Sequence, residues 1–346
     1  MDQTRLDRKK EGTERAMRNT RNLSAKELLP LYTGKGTVPH GCERVARNER
    51  GHYLADKGLR DAVLTAIALE RPLLVTGEPG TGKTALAWSV ASELGLGIPL
   101  GFFTRSDSHA GDILYSFDHV LRFYEAQTQN PRAADPTNYV QLTALGKAIL
   151  SGDTEHEYAP AFRKWFGLPE EAGRSVVLID EIDKAPRDFP NDLLDEIDQM
   201  TFSVKEIPGL EFRAQKYRPL IIISNNSERQ LPDAFLRRCV FHYIEFPKEE
   251  NLRNILAERI GTDLPKRLLD GCIRHFHALR EMGKRKELRK TPATAELECW
   301  IRVLLMANVP AERIANSELK DLPHLSALLK TKEDVEKVRP SVDRKD

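Results

Sequence analysis

One stretch of the sequence decides the fold: Gly77-Glu78-Pro79-Gly80-Thr81-Gly82-Lys83-Thr84. It matches the pattern GxxxxGK[ST] in full. The apolar run Pro72–Thr76 precedes it and predicts a short buried strand, whereas Leu86, Val90 and Leu94 follow it at helical spacing. A glycine-rich turn between a strand and a helix is the context in which this pattern is specific for a phosphate-binding loop. We therefore expect all eight residues to bind the phosphates of a nucleotide.

The residue types of this loop suit phosphate chemistry. Glycine lets the backbone point successive N–H groups inward, and the helix that follows contributes partial positive charge at its N-terminus. The ammonium of Lys83 is expected near the β- and γ-phosphates, and the hydroxyl of Thr84 is a candidate ligand for Mg²⁺. A purely structural strand-to-helix turn would need neither side chain. The sequence thus predicts ATP and Mg²⁺ as cofactors.

A second apolar strand, Val176–Ile179, ends in the carboxylates Asp180 and Glu181. We expect Asp180 to hold Mg²⁺, usually through water, and Glu181 to orient and deprotonate the attacking water. The alternative is a strand followed by an acidic helix start, because acids favour that end of a helix. A glutamate positioned on water favours hydrolysis over transfer of phosphate to a second substrate.

A third strand, Leu220–Ser224, ends in the amides Asn225 and Asn226. An amide beside the γ-phosphate can hold the attacking water. Asn225 is our first candidate for this catalytic role, and Asn226 is the close alternative. Both also fit a simple asparagine-rich turn. Two arginines, Arg237 and Arg238, precede the final strand, and on composition alone they are surface charges.

The composition describes an ordinary globular protein and narrows the range of partners. Hydrophobic residues make up 40% of the chain and charged residues 30%, and the formal net charge of +1 creates no global field favouring nucleic acid or an acidic membrane. No segment approaches a membrane span and the N-terminus has no apolar signal region, so we expect a cytoplasmic protein. The cysteines are scattered without a CxxC pair, which argues against a zinc site or a disulfide framework: Cys42, Cys239, Cys272 and Cys299.

Composition and periodicity divide the chain into four segments. Residues 1–50 are polar and mixed in charge, and predict a solvated arm or a docking arm for a partner. Residues 51–247 alternate between helix and strand and predict a doubly wound α/β domain with a parallel sheet. Residues 248–310 carry apolar side chains at helical spacing and predict a small all-helical domain. Residues 311–346 are expected to form a charged tail, with one candidate helix at Leu322–Leu329.

Taken in order, GEPGTGKT, VVLIDEID, IIISNN and LPDAFLRRC resemble the Walker A, Walker B, sensor 1 and arginine-finger motifs of AAA+ ATPases. The similarity is closest to the MoxR-like family, because DEIDKAP is similar to its DEINRAP and LPDAFLRRC to its LPEAQLDRF. The 97 positions from Lys83 to Asp180 are long enough for an insertion in the second helix, and Phe202–Phe212 resembles the hairpin before sensor 1. The resemblance covers about residues 50–310. It implies a P-loop NTPase (AAA+) fold followed by a helical lid.

This resemblance implies an ATPase that forms a homo-oligomeric ring, with a hexamer as the expected size. Arg238 then stands at the arginine finger, which acts on the ATP of the neighbouring subunit, and Arg237 is the alternative. MoxR-like proteins remodel or activate partner proteins, often beside proteins with a von Willebrand A domain, and some related ATPases belong to bacterial defence or conflict systems. One position departs from the pattern, because Ala293 stands where the sensor 2 arginine is expected. Arg289 or Lys290 is the candidate substitute.

Other functions fit the same sequence. An ATP-dependent switch would turn over slowly and recruit an effector, and measured turnover with and without the partner distinguishes it from a remodelling ATPase. A nucleic-acid-stimulated motor would bind DNA or RNA with strong salt dependence. The near-neutral charge and the lack of a recognised nucleic-acid module disfavour this second function. A metabolic kinase is the weakest alternative, because the paired arginines and the amide-tipped strand would have no use.

Overall fold

The computed structural model describes residues 20–36, 53–226, 229–261 and 264–339. They form two compact units, one containing the described residues up to Gly77 together with Gly82–Ile244, and the other containing Glu78–Thr81 together with those from Glu245 onwards. Residues 1–19 and 37–50 of the expected arm, with Cys42, lie outside the described residues. The strands are β1 (Leu73–Gly77), β2 (Leu100–Phe103), β3 (Tyr115–Phe117), β4 (Val140–Leu142), β5 (Val176–Asp180), β6 (Thr201–Ser203), β7 (Glu211–Arg213), β8 (Leu220–Asn225) and β9 (Val240–Ile244).

Helices alternate with these strands and then replace them after β9. In the first unit they are α1 (Ala25–Leu28), α2 (Lys57–Leu69), α3 (Lys83–Glu93), α4 (His119–Gln127), α5 (Ala144–Gly152), α6 (Ala159–Trp165), α7 (Phe189–Gln199) and α8 (Asp233–Arg238). In the second unit they are α9 (Glu249–Ile260), α10 (Lys266–Lys284), α11 (Thr294–Met306), α12 (Ala311–Asn316) and α13 (Lys332–Val338). None of the described helices has both the length and the apolar character needed to cross a membrane.

A five-stranded parallel sheet lies at the centre of the first unit, in the order β2-β5-β8-β1-β9. The three inner strands are buried along their whole length, as expected for apolar runs with helices on both faces. The two outer strands are not, because each has a neighbour on one side alone, and alternate residues of β2 and β9 are accessible. The predicted doubly wound parallel sheet is confirmed.

Side chains alternate along the inner strands and form a core on each face of the sheet. On one face, Leu73 and Val75 of β1 pack with residues of α2 and α3. On the other face, Leu74 packs with Val177 of β5 and with residues of α5 and α7. The sheet therefore fixes the end of β1, where the phosphate loop begins, because β1 is packed on both faces and paired on both edges.

Two antiparallel strand pairs are added to this pattern. β3 pairs with β4, with α4 between them in sequence, and so occupies part of the long interval between β2 and β5. β6 pairs with β7, with Phe202 opposite Phe212, directly before β8. The hairpin predicted over these residues is therefore present. The two pairs are linked, because Tyr115 Oη donates to Glu206 Oε2 at 3.1 Å and accepts from the backbone N of Lys205 at 3.0 Å.

The segment 20–36 is packed against the α/β core, so the expectation of a solvated arm is wrong for these residues. Leu28 and Tyr32 are almost fully buried and join the same apolar core as α2 and α3. The carboxylate of Glu93, itself buried, accepts hydrogen bonds from the backbone N–H groups of Thr33 at 2.7 Å and Gly34 at 3.0 Å. The composition of residues 1–50 as a whole hides this local apolar cluster, to which the partly buried Leu23, Ala25 and Leu29 also belong.

The second unit is built around one apolar core of helices, and this core extends past residue 310. Ile314, Leu322 and Leu325 are at most 2% exposed and pack with Trp300. The expected charged tail is therefore wrong for residues 311–339. The candidate helix at Leu322–Leu329 is also wrong, because this stretch contains a 3₁₀ turn at Leu325–Ala327 and its apolar residues are buried without a regular helix.

Candidate nucleotide-binding site

The parallel sheet brings the ends of three motifs together. Since parallel strands share a direction, their carboxyl ends meet at one edge of the sheet, where ligands bind in open α/β folds. β8 lies between β5 and β1, with Ile179 of β5 opposite Ile223 and Thr76 of β1 opposite Asn225. The acidic pair after β5, the amides after β8 and the end of β1 are thereby neighbours in space.

The lysine and the threonine of the phosphate loop both contact residues at the ends of strands. Lys83 is 6% exposed, and its Nζ donates to the carbonyl oxygen of Gly77 at 2.7 Å. Thr84 Oγ1 donates to the carboxylate of Asp180, with distances of 3.0 Å to Oδ2 and 3.2 Å to Oδ1. Gly82 has a φ of 91°, a conformation that favours glycine, so the turn into α3 depends on this residue.

A serine that sequence reasoning missed joins the acidic pair. The hydroxyl of Ser224 donates to Asp180 Oδ1 and accepts from the backbone N of Glu181 at 2.8 Å. Asp180 is 7% exposed, so its buried carboxylate needs such donors, and Thr84 supplies another. One feature of the sequence could have identified Ser224. It is a polar residue near the end of an otherwise apolar strand, and it lies two residues before the second amide.

Glu181 is held at both carboxylate oxygens. Its Oε1 accepts from Asn226 Nδ2 at 3.1 Å, and its Oε2 forms an ion pair with Lys184. Its backbone is left-handed, with φ 56° and ψ 51°, which a glutamate rarely adopts. Lys184 was quoted in DEIDKAP but not assigned a role. Its contact with Glu181 follows from the 3₁₀ turn Ile182–Lys184, which places the two side chains on the same side.

The structure favours Asn226 over Asn225 as the amide beside the acid. Asn225 is the last residue of β8 and is 5% exposed, whereas Asn226 follows the strand and contacts Glu181. Asn226, the alternative in the sequence analysis, is thus the amide that contacts Glu181, and a catalytic role for Asn225 stays a prediction.

The paired arginines lie at the end of α8 and are both exposed. Arg238 Nε lies 3.3 Å from Asp198 Oδ2, and both side chains are about half exposed, at 49% and 53%. Arg237 takes part in none of the ion pairs among the described residues. Burial raises the pKa of the neighbouring Cys239 thiol to about 12, which favours the protonated thiol at neutral pH.

The middle of the phosphate loop belongs to the second unit and contacts an arginine there. Arg280 of α10 donates from Nη2 to Glu78 Oε2 at 2.7 Å, and its side chain is 5% exposed. Gly80, at φ 78°, lies so close to Ala293 that a Cβ on the glycine would be 2.7 Å from the alanine Cβ. Sequence analysis did not single out Arg280, because it lies towards the C-terminal end of a helix with no motif around it.

Arg289 and Lys290, the sequence-based candidates to replace the sensor 2 arginine, are held elsewhere in the second unit. Their backbone N–H groups donate to the buried carboxylate of Asp334, at 2.6 Å and 3.1 Å. The Arg289 side chain is 73% exposed and lies 3.7 Å from Glu333. Neither side chain is placed at the loop segment Glu78–Thr81 by any contact among the described residues.

A phosphate loop after β1, an acidic end on β5 and a polar end on β8 define a P-loop NTPase of the AAA+ fold. Residues 73–248, just over half of the chain, match the family described as ATPase family associated with various cellular activities (AAA). The chain belongs to this family. Nucleotide binding, and ATPase activity in general, follow from that membership.

Two individual proteins are also similar. Cell division protein C of Sulfolobus acidocaldarius is 25% identical over 191 residues, which cover 54% of this chain and 40% of that protein. The chain thus spans less than half the length of this relative. The crystal structure of the FIGL-1 AAA domain in complex with ADP matches 79% of this chain and 74% of its own at 19% identity, with a TM-score of 0.34.

Proposed function

We propose that this chain hydrolyses ATP and uses the turnover to remodel or activate a partner protein, as a MoxR-like AAA+ ATPase that assembles into a ring. One observation carries the proposal: the carboxylate of Glu181 lies beside the amide of Asn226 at the edge where the phosphate loop ends. An acid and an amide at the carboxyl ends of adjacent strands are the two groups that an attacking water needs.

The donors at the site suit Mg²⁺. This ion prefers carboxylate and hydroxyl oxygens, and Thr84 Oγ1 and the carboxylate of Asp180 lie within 3.0 Å of each other. Asp180 is buried and surrounded by hydroxyl donors, so its charge needs a cationic partner. When bound, Mg²⁺ would neutralise charge on the phosphates. Thr84 and Asp180 are the residues that would hold it.

In the proposed hydrolysis of ATP, each of the remaining site residues has one role. Lys83 would leave the carbonyl of Gly77 to donate to the phosphates. Asn226 would hold a water in line with the γ-phosphorus, and Glu181 would take the proton of that water as its oxygen bonds to phosphorus. The bond from phosphorus to the bridging oxygen then breaks, and ADP and inorganic phosphate leave. Glu181 must first part from Lys184, an exposed ion pair that costs little to open.

The inserted elements support a remodelling role rather than metabolite phosphorylation. The β3–β4 pair lies in the long interval between Lys83 and Asp180, where the resemblance implies an insertion, and the β6–β7 hairpin lies directly before β8. Between β3 and β4, α4 exposes apolar side chains to solvent: Val120 by 81%, Phe123 by 68% and Tyr124 by 65%. A cluster of exposed aromatic and aliphatic groups marks a protein-interaction surface. A partner protein, such as one with a von Willebrand A domain, is the substrate that this surface suits.

The test is an ATPase assay on three proteins: wild type, Lys83→Ala and Glu181→Gln. Wild type should release phosphate from ATP. Lys83→Ala should lose nucleotide binding, because the loop loses its phosphate-directed charge. Glu181→Gln should bind ATP yet turn over slowly, because the amide keeps the shape of the side chain and cannot take a proton.

The assay also separates the proposal from the other functions. Unchanged ATP affinity in folded Lys83→Ala, or near-normal turnover in Glu181→Gln, would contradict the assigned roles. Stimulation by DNA or RNA that falls steeply with salt would indicate a nucleic-acid motor. Tight ATP binding without measurable turnover, with or without a partner, would indicate a switch.

A further inference from the structure

Hydroxyl groups from both neighbouring strands hold the peptide bond between Asp180 and Glu181. On the β8 side, Ser224 Oγ accepts a hydrogen bond from the backbone N of Glu181 at 2.8 Å and donates to Asp180 Oδ1. On the β2 side, Thr104 Oγ1 donates to the carbonyl oxygens of Asp180, at 3.0 Å, and of Glu181. The backbone N of Thr104 also donates to the carbonyl oxygen of Asp180, at 3.1 Å. The reaction proposed above uses neither hydroxyl.

The two hydroxyls act at the point where the regular pairing of β5 stops. The parallel pairing of β5 ends at Ile179 on the β8 side and at Asp180 on the β2 side. Beyond it the backbone of Glu181 is left-handed, so its polar groups no longer point along a strand ladder. Backbone N–H and C=O groups removed from water need hydrogen-bond partners. Here the side chains of Ser224 and Thr104 supply these partners in place of the neighbouring strands.

Packing alone does not account for these two hydroxyls. Thr104 is 5% exposed and Ser224 1%, and removing a hydroxyl from water is costly unless it is hydrogen-bonded. Ser175, just before β5, gives the contrast, because its buried hydroxyl has no hydrogen-bond partner among the described residues. At the other end of the strand both hydroxyls instead contact the same left-handed residue, Glu181. A conformation that is rare for glutamate persists only where its surroundings hold it.

We propose that Thr104 and Ser224 are positioning residues that direct the carboxylate of Glu181 at the attacking water. The backbone angles of a residue set the direction of its Cα–Cβ bond, so a left-handed Glu181 places its carboxylate differently from an extended one. Hydrogen bonds on both sides of the peptide oppose the rotation that would relieve the strain. The inference rests on the proposed function, which gives Glu181 its role as the base, and it adds two residues that act through its backbone.

Thr104→Val is the sharper test, because the hydroxyl of Thr104 does not contact the carboxylate of Asp180. The variant should lower kcat about 10-fold to 10²-fold, since displacing a reacting group by about 1 Å can cost this much. Its affinity for a non-hydrolysable ATP analogue, measured by calorimetry, should stay near the wild-type value. Thr104→Ser keeps the hydroxyl and should recover most of kcat, whereas Ser224→Ala should lower kcat as Thr104→Val does. Ser175→Ala, which removes a buried hydroxyl just before the same strand, is the matched control and should keep the wild-type kcat.

Combination with Glu181→Gln separates positioning from a general loss of structure, because residues that act through one group have non-additive effects. In Glu181→Gln the base is already absent, so adding Thr104→Val should have little further effect on the slow single-turnover rate. If Thr104→Val slows Glu181→Gln by the same factor as it slows wild type, the inference is overturned. It is also overturned if Thr104→Val and Ser224→Ala both keep the wild-type kcat.

Crystal structures give a measurement that does not depend on turnover and that also serves if Thr104→Val does not fold. In Ser224→Ala the backbone of Glu181 should leave the left-handed region, because its N–H has lost its acceptor. In Ser175→Ala it should stay left-handed. A left-handed Glu181 still in contact with Asn226 in Ser224→Ala would overturn the inference. Wild type that releases no phosphate from ATP would overturn the proposed function instead, and the backbone of Glu181 in Ser224→Ala would still decide the inference.

Discussion

Glu181 has a backbone conformation, φ 56° and ψ 51°, that side chains other than glycine and asparagine rarely adopt. The fold imposes it, because β5 must end at Asp180 and the 3₁₀ turn Ile182–Lys184 begins at once. Such strain costs on the order of 1–3 kcal/mol and persists where the surroundings determine the conformation. At this position it points the carboxylate at Asn226.

The strain at Glu181 predicts that a change in side chain can stabilise the protein and abolish hydrolysis at once. Glu181→Asn should be more stable to denaturant than Glu181→Gln by about 0.5–1 kcal/mol, because asparagine tolerates the left-handed region better. Both variants replace the carboxylate by an amide, so they are matched for loss of the base. Equal midpoints of unfolding for the two proteins would show that the conformation is not strained.

The amides at the end of β8 give a second prediction at this scale. Asn226→Ala should lower kcat by about 10²-fold with little change in nucleotide affinity, since positioning of the water matters mainly in the transition state. Asn225→Ala should mainly lower the melting temperature, because Asn225 is buried within the sheet. Steady-state kinetics and thermal melts of both variants provide the measurement. The opposite assignment of effects would restore Asn225 to the catalytic role.

Among the elements, the segment 20–36 is held to the α/β core by apolar side chains and by hydrogen bonds. Leu28 lies at the end of α1 and is fully buried, whereas Leu31, three residues later, is 37% exposed. The buried Glu93 of α3 binds backbone N–H groups from the same segment. The segment therefore behaves as part of the core in packing, although its composition is that of a surface arm.

Leu28→Ala should destabilise the protein by about 2–5 kcal/mol, because it leaves a cavity in a core that also contains α2 and α3. Leu31→Ala is the matched control, in the same segment and of the same chemistry, and should cost about 1 kcal/mol or less. Denaturant titration of both variants gives the comparison. Equal, small effects would mean that the segment does not contribute to the folding of the core.

For the whole molecule, the exposed arginines of α8 give a prediction about assembly. We expect Arg238 to act on ATP bound by a neighbouring copy, where an arginine is worth about 10³–10⁵ in rate in well-studied P-loop enzymes. Its pair with Asp198 is exposed and worth about 0–1 kcal/mol, so it can be released. Arg238→Ala and Lys83→Ala, each inactive alone, should regain partial ATPase activity when mixed, and specific activity should rise with protein concentration.

Two further variants control this experiment. Arg237→Ala, mixed in the same way, shows whether the other arginine, which is also exposed, has the role instead. Asp198→Ala removes the local partner of Arg238 and should keep or raise activity if Arg238 acts on a neighbour. Loss of activity in Asp198→Ala matching that in Arg238→Ala would mean that the pair is structural. Full activity of a strictly monomeric wild type would exclude action between subunits.

The sequence by itself determined the α/β fold and the chemistry of the phosphate loop. The motif GEPGTGKT between an apolar run and a helical pattern is specific for a phosphate-binding loop. The glycines suit the backbone of such a loop, and the lysine and the threonine suit phosphate and Mg²⁺. The place of the carboxylates Asp180 and Glu181 could also be predicted from the sequence, because they come at the end of an apolar run that predicts a buried strand. Local sequence sufficed wherever the contacts are between residues close along the chain or at predictable strand ends.

Only the tertiary structure decided which residues meet across long separations. The contact of Asn226 with Glu181, the place of Ser224 between the two motifs and the pairing of Arg280 with Glu78 depend on where strands end and which helix faces pack. Residues 20–36 and 311–339 are likewise folded through apolar side chains that pack on the two cores. All of these features have the same physical reason. Burial and hydrogen bonding between distant residues arise only when the chain packs, so they cannot be predicted from local composition.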